Sequence, residues 1–476
     1  MLSKLSPEAY KELEDLLGTE NISDEPGVME GYVYHSFSEI LGLKTRWCNF
    51  RPEAVVLPCT TEEVQAIVKI CIKYNLKYHA MSTGFGAWNA PGSEGVIQID
   101  LRRMNRIIKI DSKNMFAVVE PYAVCSQLQA EAMRFNLNTH IIGAGCNTSP
   151  LASSTSLIGY GWSGLTTSYS ARNILGVEWV LPSGEVIRLG AIGQNEDTWF
   201  NADGPGPSIR GVMRGFAGAC GGLGVFTKVA LKLFPWPGPK EPEVKGILLD
   251  CKTKVPETHG VFLCNFPDTK NYADSVYKIA DSEIGYMHCK NAIGLVAGVS
   301  MPKFFKTVTK YKALKSILET FKLSYQVLIA TDTQRSFEYQ KKVLKKIISD
   351  CRGVMIDISQ IPSVHELAWW AMVRAAVPPL IFRLAGSFAT AFGGLESWDH
   401  PVYTMQIGEQ TKQKLIDKGC MIDDLADNGW GGIYEGSTGF GHCEELAYFD
   451  PRNPVHVQGV LEYIPIKTKG KSGDVV

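Results

Sequence analysis

The chain has 476 residues, of which 45% are hydrophobic and 20% charged, and its formal net charge is −1. This length predicts two or three domains of an ordinary globular protein, and the near-zero charge excludes the overall basic character of a nucleic-acid-binding protein. No run of about 18 uncharged apolar residues occurs, so the sequence predicts no membrane-spanning helix.

The first 45 residues predict a helical arm. Ser6 is placed to cap a helix that begins at Pro7, with an acidic residue following. The start of the chain lacks the apolar core and cleavage site of a secretory signal, and we therefore expect a cytoplasmic protein. The twelve cysteines form no C-x-x-C pair, which predicts buried thiols and no metal or iron–sulfur site on this chain.

Strands and helices then alternate. A capping box at Thr60–Glu63 precedes a segment with helical spacing of its apolar residues. Ser183-Gly184 joins two strand-like runs into a hairpin. Short apolar runs predict further strands at 53–57, 76–81, 96–101, 107–111 and 116–120, and a helix at 127–135. This order predicts an α+β fold. The three prolines within Pro235–Pro239 mark a domain boundary.

Three loops rich in small residues follow strand-like segments. Glycines let a backbone approach a ligand closely, and successive backbone N–H groups bind anions. Each loop alone is also typical of a simple turn. Neither a nicotinamide-type G-x-G-x-x-G unit nor a G-x-x-x-x-G-K-[ST] loop is present. The candidate cofactor-binding residues in these loops are Met81, Ser82, Thr83, Gly84, Phe85, Gly86, Pro150, Ser153, Ser156, Leu157, Gly159, Gly161, Gly222, Gly224 and Val225.

Several motifs occur in a fixed order: RPEAVVLP and TTEEV, then IDLRRMNRIIKID, AVVEP, GVEWVLPSGEVIRLG and GGLGVFTKVALKLFP. This series resembles the FAD-binding domain of the vanillyl-alcohol oxidase and p-cresol methylhydroxylase (PCMH) superfamily, in particular its glycolate oxidase subunit and D-lactate dehydrogenase branch. The resemblance implies an FAD domain of two subdomains at 46–237. It further implies a cap domain at 238–440, with an antiparallel sheet flanked by helices, and a C-terminal segment at 441–476 that returns towards the flavin.

The first loop departs from the family pattern. It lacks the usual arginine, and no histidine that would tether FAD follows Met81, so we expect non-covalent FAD. Cys146 lies where certain relatives carry a cysteinyl link to the flavin. A loop thiol with no flavin bond is the alternative for Cys146.

The candidate catalytic residues lie late in the chain. The resemblance implies that His442, in a G-H pair, faces flavin and substrate; a structural histidine is the alternative. The histidine-rich metal motif of the 2-hydroxy-acid branch does not follow it, so no metal is expected. Trp370 and Arg374 share a helical face and could stack on and pair with a carboxylate substrate, or be a core tryptophan beside a solvated arginine. Arg383 and Tyr434 are further candidates for an anion partner and a base.

The resemblance implies an FAD-dependent dehydrogenase or oxidase. It would move a hydride from a hydroxylated organic substrate, a 2-hydroxy acid or related alcohol, to flavin N5. Electrons would pass to a separate acceptor, such as an iron–sulfur subunit, and a homo-oligomer or larger complex is expected. Two alternatives stay open: an aryl-alcohol or alkylphenol oxidase of the same superfamily, and a non-catalytic flavin subunit that relays electrons.

Overall fold

The structure is a computed structural model, and the chain divides into two compact units. The first unit comprises 1–139, 147–159 and 169–235; the second comprises 140–146, 160–168 and 236–476. The residues that the structure describes are 4–33, 50–84, 90–141, 145–156, 159–190, 223–246, 251–290, 311–375, 387–393, 397–427, 430–435, 440–450 and 452–469.

The first unit combines helices with short strands. Its helices are α1 (Pro7–Leu17), α2 (Pro26–Glu30), α3 (Thr61–Lys73), α4 (Cys125–Met133) and α5 (Pro150–Thr155). Its strands are β1 (Ile22–Ser23), β2 (Ala54–Val56), β3 (Lys77–Met81), β4 (Val96–Asp100), β5 (Ile107–Asp111), β6 (Phe116–Val119), β7 (Leu137–Asn138), β8 (Ile174–Val180), β9 (Val186–Leu189), β10 (Val225–Lys232) and β11 (Phe234–Pro235).

These strands form two main sheets. One has the order β1-β2-β4-β3, in which β4 pairs in parallel with both β2 and β3. The other is antiparallel, with the order β5-β6-β10-β8-β9. The hairpin at Ser183-Gly184 is confirmed, because β8 pairs with β9 across it. The capping prediction at Thr60 is also confirmed: Thr60 Oγ1 accepts from Glu63 N at 3.1 Å, whereas the Glu63 carboxylate accepts from Cys59 N at 2.6 Å.

A buried carboxylate connects a sheet of the first unit to a helix. Glu178 on β8 is 1% exposed, and it accepts hydrogen bonds from Thr61 Oγ1 (2.6 Å) and Lys228 Nζ (2.7 Å). Burial raises the pKa of Glu178, but the bonds from Lys228 and Thr61 outweigh it and lower the pKa below its ordinary value. The glutamate of the GVEWV motif therefore holds the start of α3 against the antiparallel sheet.

The second unit has antiparallel sheets and longer helices. Its helices are α6 (Gly164–Thr167), α7 (Thr269–Asp281), α8 (Lys312–Glu319), α9 (Gln334–Asp350), α10 (Pro362–Arg374), α11 (Asp399–Asp417) and α12 (Pro454–Lys469). Its strands are β12 (Val244–Lys245), β13 (Lys252–Thr253), β14 (His259–Asn265), β15 (Met287–Cys289), β16 (Ser324–Ala330), β17 (Val354–Asp357), β18 (Ser387–Gly393), β19 (Trp430–Glu435) and β20 (Phe440–Phe449).

Two antiparallel sheets organise the second unit, with the orders β15-β16-β14-β17 and β18-β20-β19. Helices α7 and α9 pack on the first sheet, where Phe262 and Val327 meet Val276 and Leu344 in one apolar core. Helices and sheets in both units confirm the α+β class. Among the described residues, no helix is long and apolar enough to cross a membrane.

Candidate functional site

The first candidate loop follows β3 in the first unit. Met81 ends the strand, and Ser82, Thr83 and Gly84 continue from the carboxyl edge of the parallel strands, where open sheets with parallel strands commonly bind ligands. Gly84 has φ +68°, and among the described residues a Cβ there would meet only Met81 Sδ, at 3.5 Å. No side chain at this position therefore stands between the backbone and a ligand. Phe85 and Gly86 lie outside the described residues.

The second loop runs through α5, which begins at Pro150 and carries the buried residue Ser153. A Cβ on Gly159 would lie 2.8 Å from the carbonyl oxygen of Ser153 and would collide with Ser170 Oγ. Ser170 Oγ is buried and has no hydrogen-bond partner within the part of the chain that the structure describes. The structure therefore brings Ser153 and Gly159 together beside an unsatisfied hydroxyl.

Two other predicted residues of this loop, Ser156 and Leu157, have fewer described contacts or none. Ser156 follows α5 as its C-cap, and its backbone N–H donates to Ala152 O at 2.9 Å. Leu157 lies outside the described residues.

The third loop leads into β10, which begins at Val225. Gly224 has φ +115°, and a Cβ there would collide with the carbonyl oxygen of Val180 and lie 3.0 Å from Trp179 Nε1. Packing against β8 thus explains Gly224 without a ligand. Gly222 lies outside the described residues.

The first unit fits a dinucleotide such as FAD on two grounds. Gly84 carries no side chain that would cover the backbone, and successive backbone N–H groups such as those of Ser82–Gly84 suit pyrophosphate oxygens. Ser170 Oγ supplies a buried hydroxyl that needs a polar partner. These two groups would hold the cofactor; the contacts of Met81, Pro150, Ser153 and Gly159 with it stay predictions.

We expect Gly84→Ala to weaken FAD binding while preserving the fold. Among the described residues the added methyl meets only Met81 Sδ, so the substitution costs about 1–2 kcal/mol for the left-handed backbone, but the methyl group would stand between the backbone and the cofactor. The dissociation constant of FAD, measured by quenching of flavin fluorescence, should rise roughly tenfold. Gly27→Ala, whose added Cβ meets none of the described residues within 4 Å, is the matched control. Unchanged affinity in Gly84→Ala would remove this loop from the cofactor site.

His442 lies in the second unit, on β20. The strand points Gly441 towards Trp398 and places Cys443 in the helix-covered core, so His442 and Glu444 share the opposite face. The His442 side chain is 0% exposed. Its ring stacks on that of Tyr160, with centroids 4.2 Å apart and an interplanar angle of 17°, and its Nε2 lies 3.4 Å from Glu444 Oε1.

The segment that carries Tyr160 is fixed by backbone contacts within the same unit. Trp162 N donates to Ile141 O at 2.9 Å, and Trp162 O accepts from His288 N at 2.9 Å. A Cβ on Gly161 would collide with Ile141 O. Close packing against Ile141 therefore explains why position 161 is a glycine. Gly161, a predicted cofactor residue, lies in the same unit as His442.

Other histidines surround this segment. His140 Nδ1 lies 2.7 Å from Thr167 Oγ1. His288 is 1% exposed, and burial lowers its pKa to about 3, so it is neutral at physiological pH. Among the described residues, no three His, Cys, Asp or Glu side chains are grouped so that they could hold a metal ion. His288 and Glu444 were missed in the sequence because neither belongs to a motif.

The predicted pair on α10 is in contact. The Arg374 guanidinium lies 5.6 Å from the centre of the Trp370 ring. Burial lowers the pKa of Arg374 below its ordinary value, and an electrostatic interaction with Cys146 opposes this shift. Arg374 and Cys146, identified separately in the sequence, thus interact in the second unit.

The remaining candidates are less defined. Only the backbone of Tyr434 is described, on β19, and Arg383 lies outside the described residues. Their roles stay predictions.

Comparison with known proteins identifies the cofactor. Residues 52–190 match a family described as FAD binding domain. The chain is 32% identical over 194 residues to the 4-cresol dehydrogenase [hydroxylating] flavoprotein subunit of Pseudomonas putida, covering 39% of this chain and 36% of the relative. It is 23% identical over 246 residues to the glycolate oxidase subunit GlcD of Bacillus subtilis, covering 52% and 47%. A D-lactate dehydrogenase of Anaerostipes hadrus is 27% identical over 194 residues, covering 39% and 37%.

Each of these alignments thus spans less than half of the curated relative's length. The fold is similar over nearly the whole chain. The crystal structure of p-cresol methylhydroxylase with substrate bound matches with a TM-score of 0.74 and 16% identity, covering 97% of this chain and 86% of that one. A 4-ethylphenol oxidase from Gulosibacter chungangensis matches with a TM-score of 0.71 and 18% identity, covering 99% and 88%. These findings confirm the resemblance drawn from the motifs: residues 52–190 match an FAD-binding domain, the fold is similar to that of p-cresol methylhydroxylase, and FAD is the cofactor.

Proposed function

We propose that this protein is an FAD-dependent oxidoreductase that oxidises a hydroxylated organic substrate, a 2-hydroxy acid or a related alcohol. When bound, FAD supplies the two-electron acceptor for such a reaction. The observation that carries the proposal is the buried His442, whose ring stacks on Tyr160 and whose Nε2 lies 3.4 Å from Glu444 Oε1. Relatives named 4-cresol dehydrogenase, D-lactate dehydrogenase and glycolate oxidase subunit support the reaction class.

His442 is assigned the role of base. Oxidation of an alcohol requires removal of the hydroxyl proton, and a neutral imidazole held in one orientation suits that task. The ring is fully buried and its plane is fixed by the stack on Tyr160. The proton of the substrate hydroxyl would move to His442 as the adjacent C–H bond breaks. Tyr434 is the second proposed base, and Arg383 the second proposed anion partner.

Arg374 and Trp370 are assigned to substrate binding. A guanidinium that is partly removed from water attracts a carboxylate, and the Trp370 ring restricts its orientation. Each hydrogen bond to a charged group contributes about 1.5–3 kcal/mol of net stabilisation. This pair therefore favours a substrate with a carboxylate.

We expect Arg374→Met to raise KM for a 2-hydroxy acid by roughly 10- to 100-fold, because the carboxylate loses its charged partner. The KM for a neutral 4-alkylphenol, if one is oxidised, should not change. Steady-state kinetics with an artificial electron acceptor measures both values. Arg335→Met, at an exposed position on α9, is the matched control. Equal KM values for wild type and Arg374→Met would exclude Arg374 from substrate binding.

Anaerobic mixing with candidate substrates tests the function directly. We expect 2-hydroxy acids to bleach the visible flavin absorption of the purified holoprotein. Bleaching by 4-alkylphenols alone would instead favour an alkylphenol oxidase, the second candidate, which the similarity to 4-cresol dehydrogenase supports. If neither class bleaches the flavin and a partner protein copurifies, the chain is an electron-relay subunit.

A separate protein is the proposed electron acceptor. Two of the relatives are named as subunits, which supports a partner such as an iron–sulfur protein. The rate at which dioxygen reoxidises the reduced protein, measured by stopped-flow absorbance, tests whether a separate acceptor is needed. Reoxidation as fast as turnover would make the protein an oxidase and remove the need for a partner.

A further inference from the structure

We propose that His259 is a positioning residue, whose hydrogen bond from Trp369 fixes the rotation of α10 about its axis and therefore the direction in which Trp370 and Arg374 point. The inference rests on the proposed function for its kinetic consequence, because Arg374 is the proposed partner of a substrate carboxylate. Trp369 Nε1 donates to His259 Nδ1 at 3.0 Å, and both side chains are buried. The bond links β14, which begins at His259, to the helix that carries the proposed substrate contacts.

The chemistry of the two partners fixes the direction of this bond. An indole N–H donates and cannot accept, so Nδ1 of His259 is the acceptor and carries no proton. Burial lowers the pKa of His259 to about 4, although the backbone carbonyl of Pro237 opposes the shift. The ring is therefore neutral at physiological pH, and its Nδ1 is available to accept the bond.

Packing holds the imidazole of His259 in place. The Trp236 and His259 rings meet edge to face, with centroids 5.6 Å apart and an interplanar angle of 80°. Trp236 is itself held by a hydrogen bond from its Nε1 to Pro239 O at 2.9 Å. On another side, a Cβ on Gly238 would lie 3.0 Å from His259 Cε1. These contacts restrict the ring, so its acceptor nitrogen has a fixed position.

A second hydrogen bond holds the same face of α10. Glu366 Oε2 accepts from Thr253 N, on β13, at 3.2 Å. Glu366 and Trp369 are three residues apart and therefore share a helix face. Trp370 and Arg374, four residues apart, share a neighbouring face, where the guanidinium lies 5.6 Å from the ring centre. Fixing the first pair therefore sets the direction of the second.

A small rotation of α10 would be enough to disturb substrate binding. A helix with its side chains has a radius of about 5–6 Å, so a rotation of about 20° displaces the end of a side chain by about 2 Å. A charge-assisted hydrogen bond spans only about 2.7–2.9 Å. Such a displacement would therefore separate Arg374 from a bound carboxylate.

Two substitutions of similar size at position 259 test the role of the acceptor. Asparagine places its Oδ1 where histidine has Nδ1 and accepts a hydrogen bond, whereas leucine has the same branching and no acceptor. We expect His259→Leu to raise KM for a 2-hydroxy acid about tenfold, with flavin reduction at saturating substrate within about twofold of wild type. His259→Asn should retain the wild-type KM. Trp369→Phe removes the donor instead and should resemble His259→Leu.

Tyr325→Phe is the control for a general loss of stability. It removes a buried hydrogen bond in the same unit, between Tyr325 Oη and Ser275 Oγ, which lie 2.7 Å apart. Its KM should equal that of wild type. A wild-type KM in His259→Leu, or an equal rise of KM in His259→Asn, would overturn the inference.

NMR of the tryptophan side chains tests the positioning without turnover. Protein labelled with 15N-tryptophan gives an indole N–H signal for each tryptophan, and Trp370→Phe identifies that of Trp370. We expect this signal to move in His259→Leu and to stay close to its wild-type position in His259→Asn. Both variants lack the imidazole ring, so the difference between them isolates the hydrogen bond.

The two measurements separate this inference from the proposed function. A Trp370 signal that moves equally in both variants, or in neither, would overturn the inference even if Arg374→Met raises KM. If no substrate reduces the protein, the proposed function fails, while the NMR result still decides whether His259 positions α10.

Discussion

His442→Gln is expected to slow flavin reduction by substrate about 10²- to 10⁴-fold, because this is the contribution of a general base. Glutamine fills much of the buried site without providing a group that can take up a proton at neutral pH. FAD content should stay at the wild-type level, since Gly84 and Ser170, the residues assigned to hold the cofactor, lie in the first unit. Stopped-flow absorbance under anaerobic conditions measures the rate constant.

His456→Gln is the matched control for this experiment. His456 also lies in the second unit, on α12, where its Nδ1 accepts from Asp450 N at 3.2 Å. Its replacement should leave the reduction rate unchanged. If His442→Gln reduces its flavin as fast as the control, His442 is a structural histidine and the proton must leave through another group, for which Tyr434 is the next candidate.

Asp424→Ala is expected to lower the free energy of unfolding of the second unit by about 3–5 kcal/mol. Asp424 is 1% exposed and forms an ion pair with Lys412, which is 0% exposed. Removal of the carboxylate leaves a buried ammonium whose described remaining contact is the carbonyl oxygen of Asp427, at 3.1 Å. Breaking a buried pair from one side has this large cost because the remaining charge is uncompensated. Urea unfolding followed by tryptophan fluorescence measures it.

The double variant Lys412→Met/Asp424→Leu is the decisive comparison. It removes both charges, so its stability should equal that of wild type or exceed it by up to about 4 kcal/mol. A double variant as unstable as Asp424→Ala would show that altered side-chain packing, and not the unpaired charge, causes the loss of stability.

The same pair predicts how stability depends on pH. Burial raises the pKa of Asp424 to about 6, although Lys412 opposes the shift. The pKa of Asp424 in the folded protein lies above its ordinary value of 3.8. Its contribution to the free energy of unfolding is therefore fully present below about pH 4 and is lost as the pH rises through about 6. The double variant should lack this loss. An identical pH profile in both proteins would contradict the assignment to Asp424.

Much of the local structure followed from the sequence. Ser6 and Thr60 were identified as helix caps, and the structure confirms both, because a cap depends only on residues within one turn. The hairpin at Ser183-Gly184 was predicted for the same reason. The FAD-binding domain was predicted from motifs in a fixed order, and the family match over residues 52–190 confirms it.

The sequence by itself determined the α+β class, the cofactor and the position of His442 in a G-H pair. Only the tertiary structure decided what surrounds His442: Tyr160 comes from a segment far away in the chain, and the described backbone of Gly161 and Trp162 holds it there. The pairing of Lys412 with Asp424 was likewise not predicted from the sequence. Such contacts join residues that no short-range pattern relates, because burial of a polar side chain is set by the segments that pack around it and not by its neighbours in sequence.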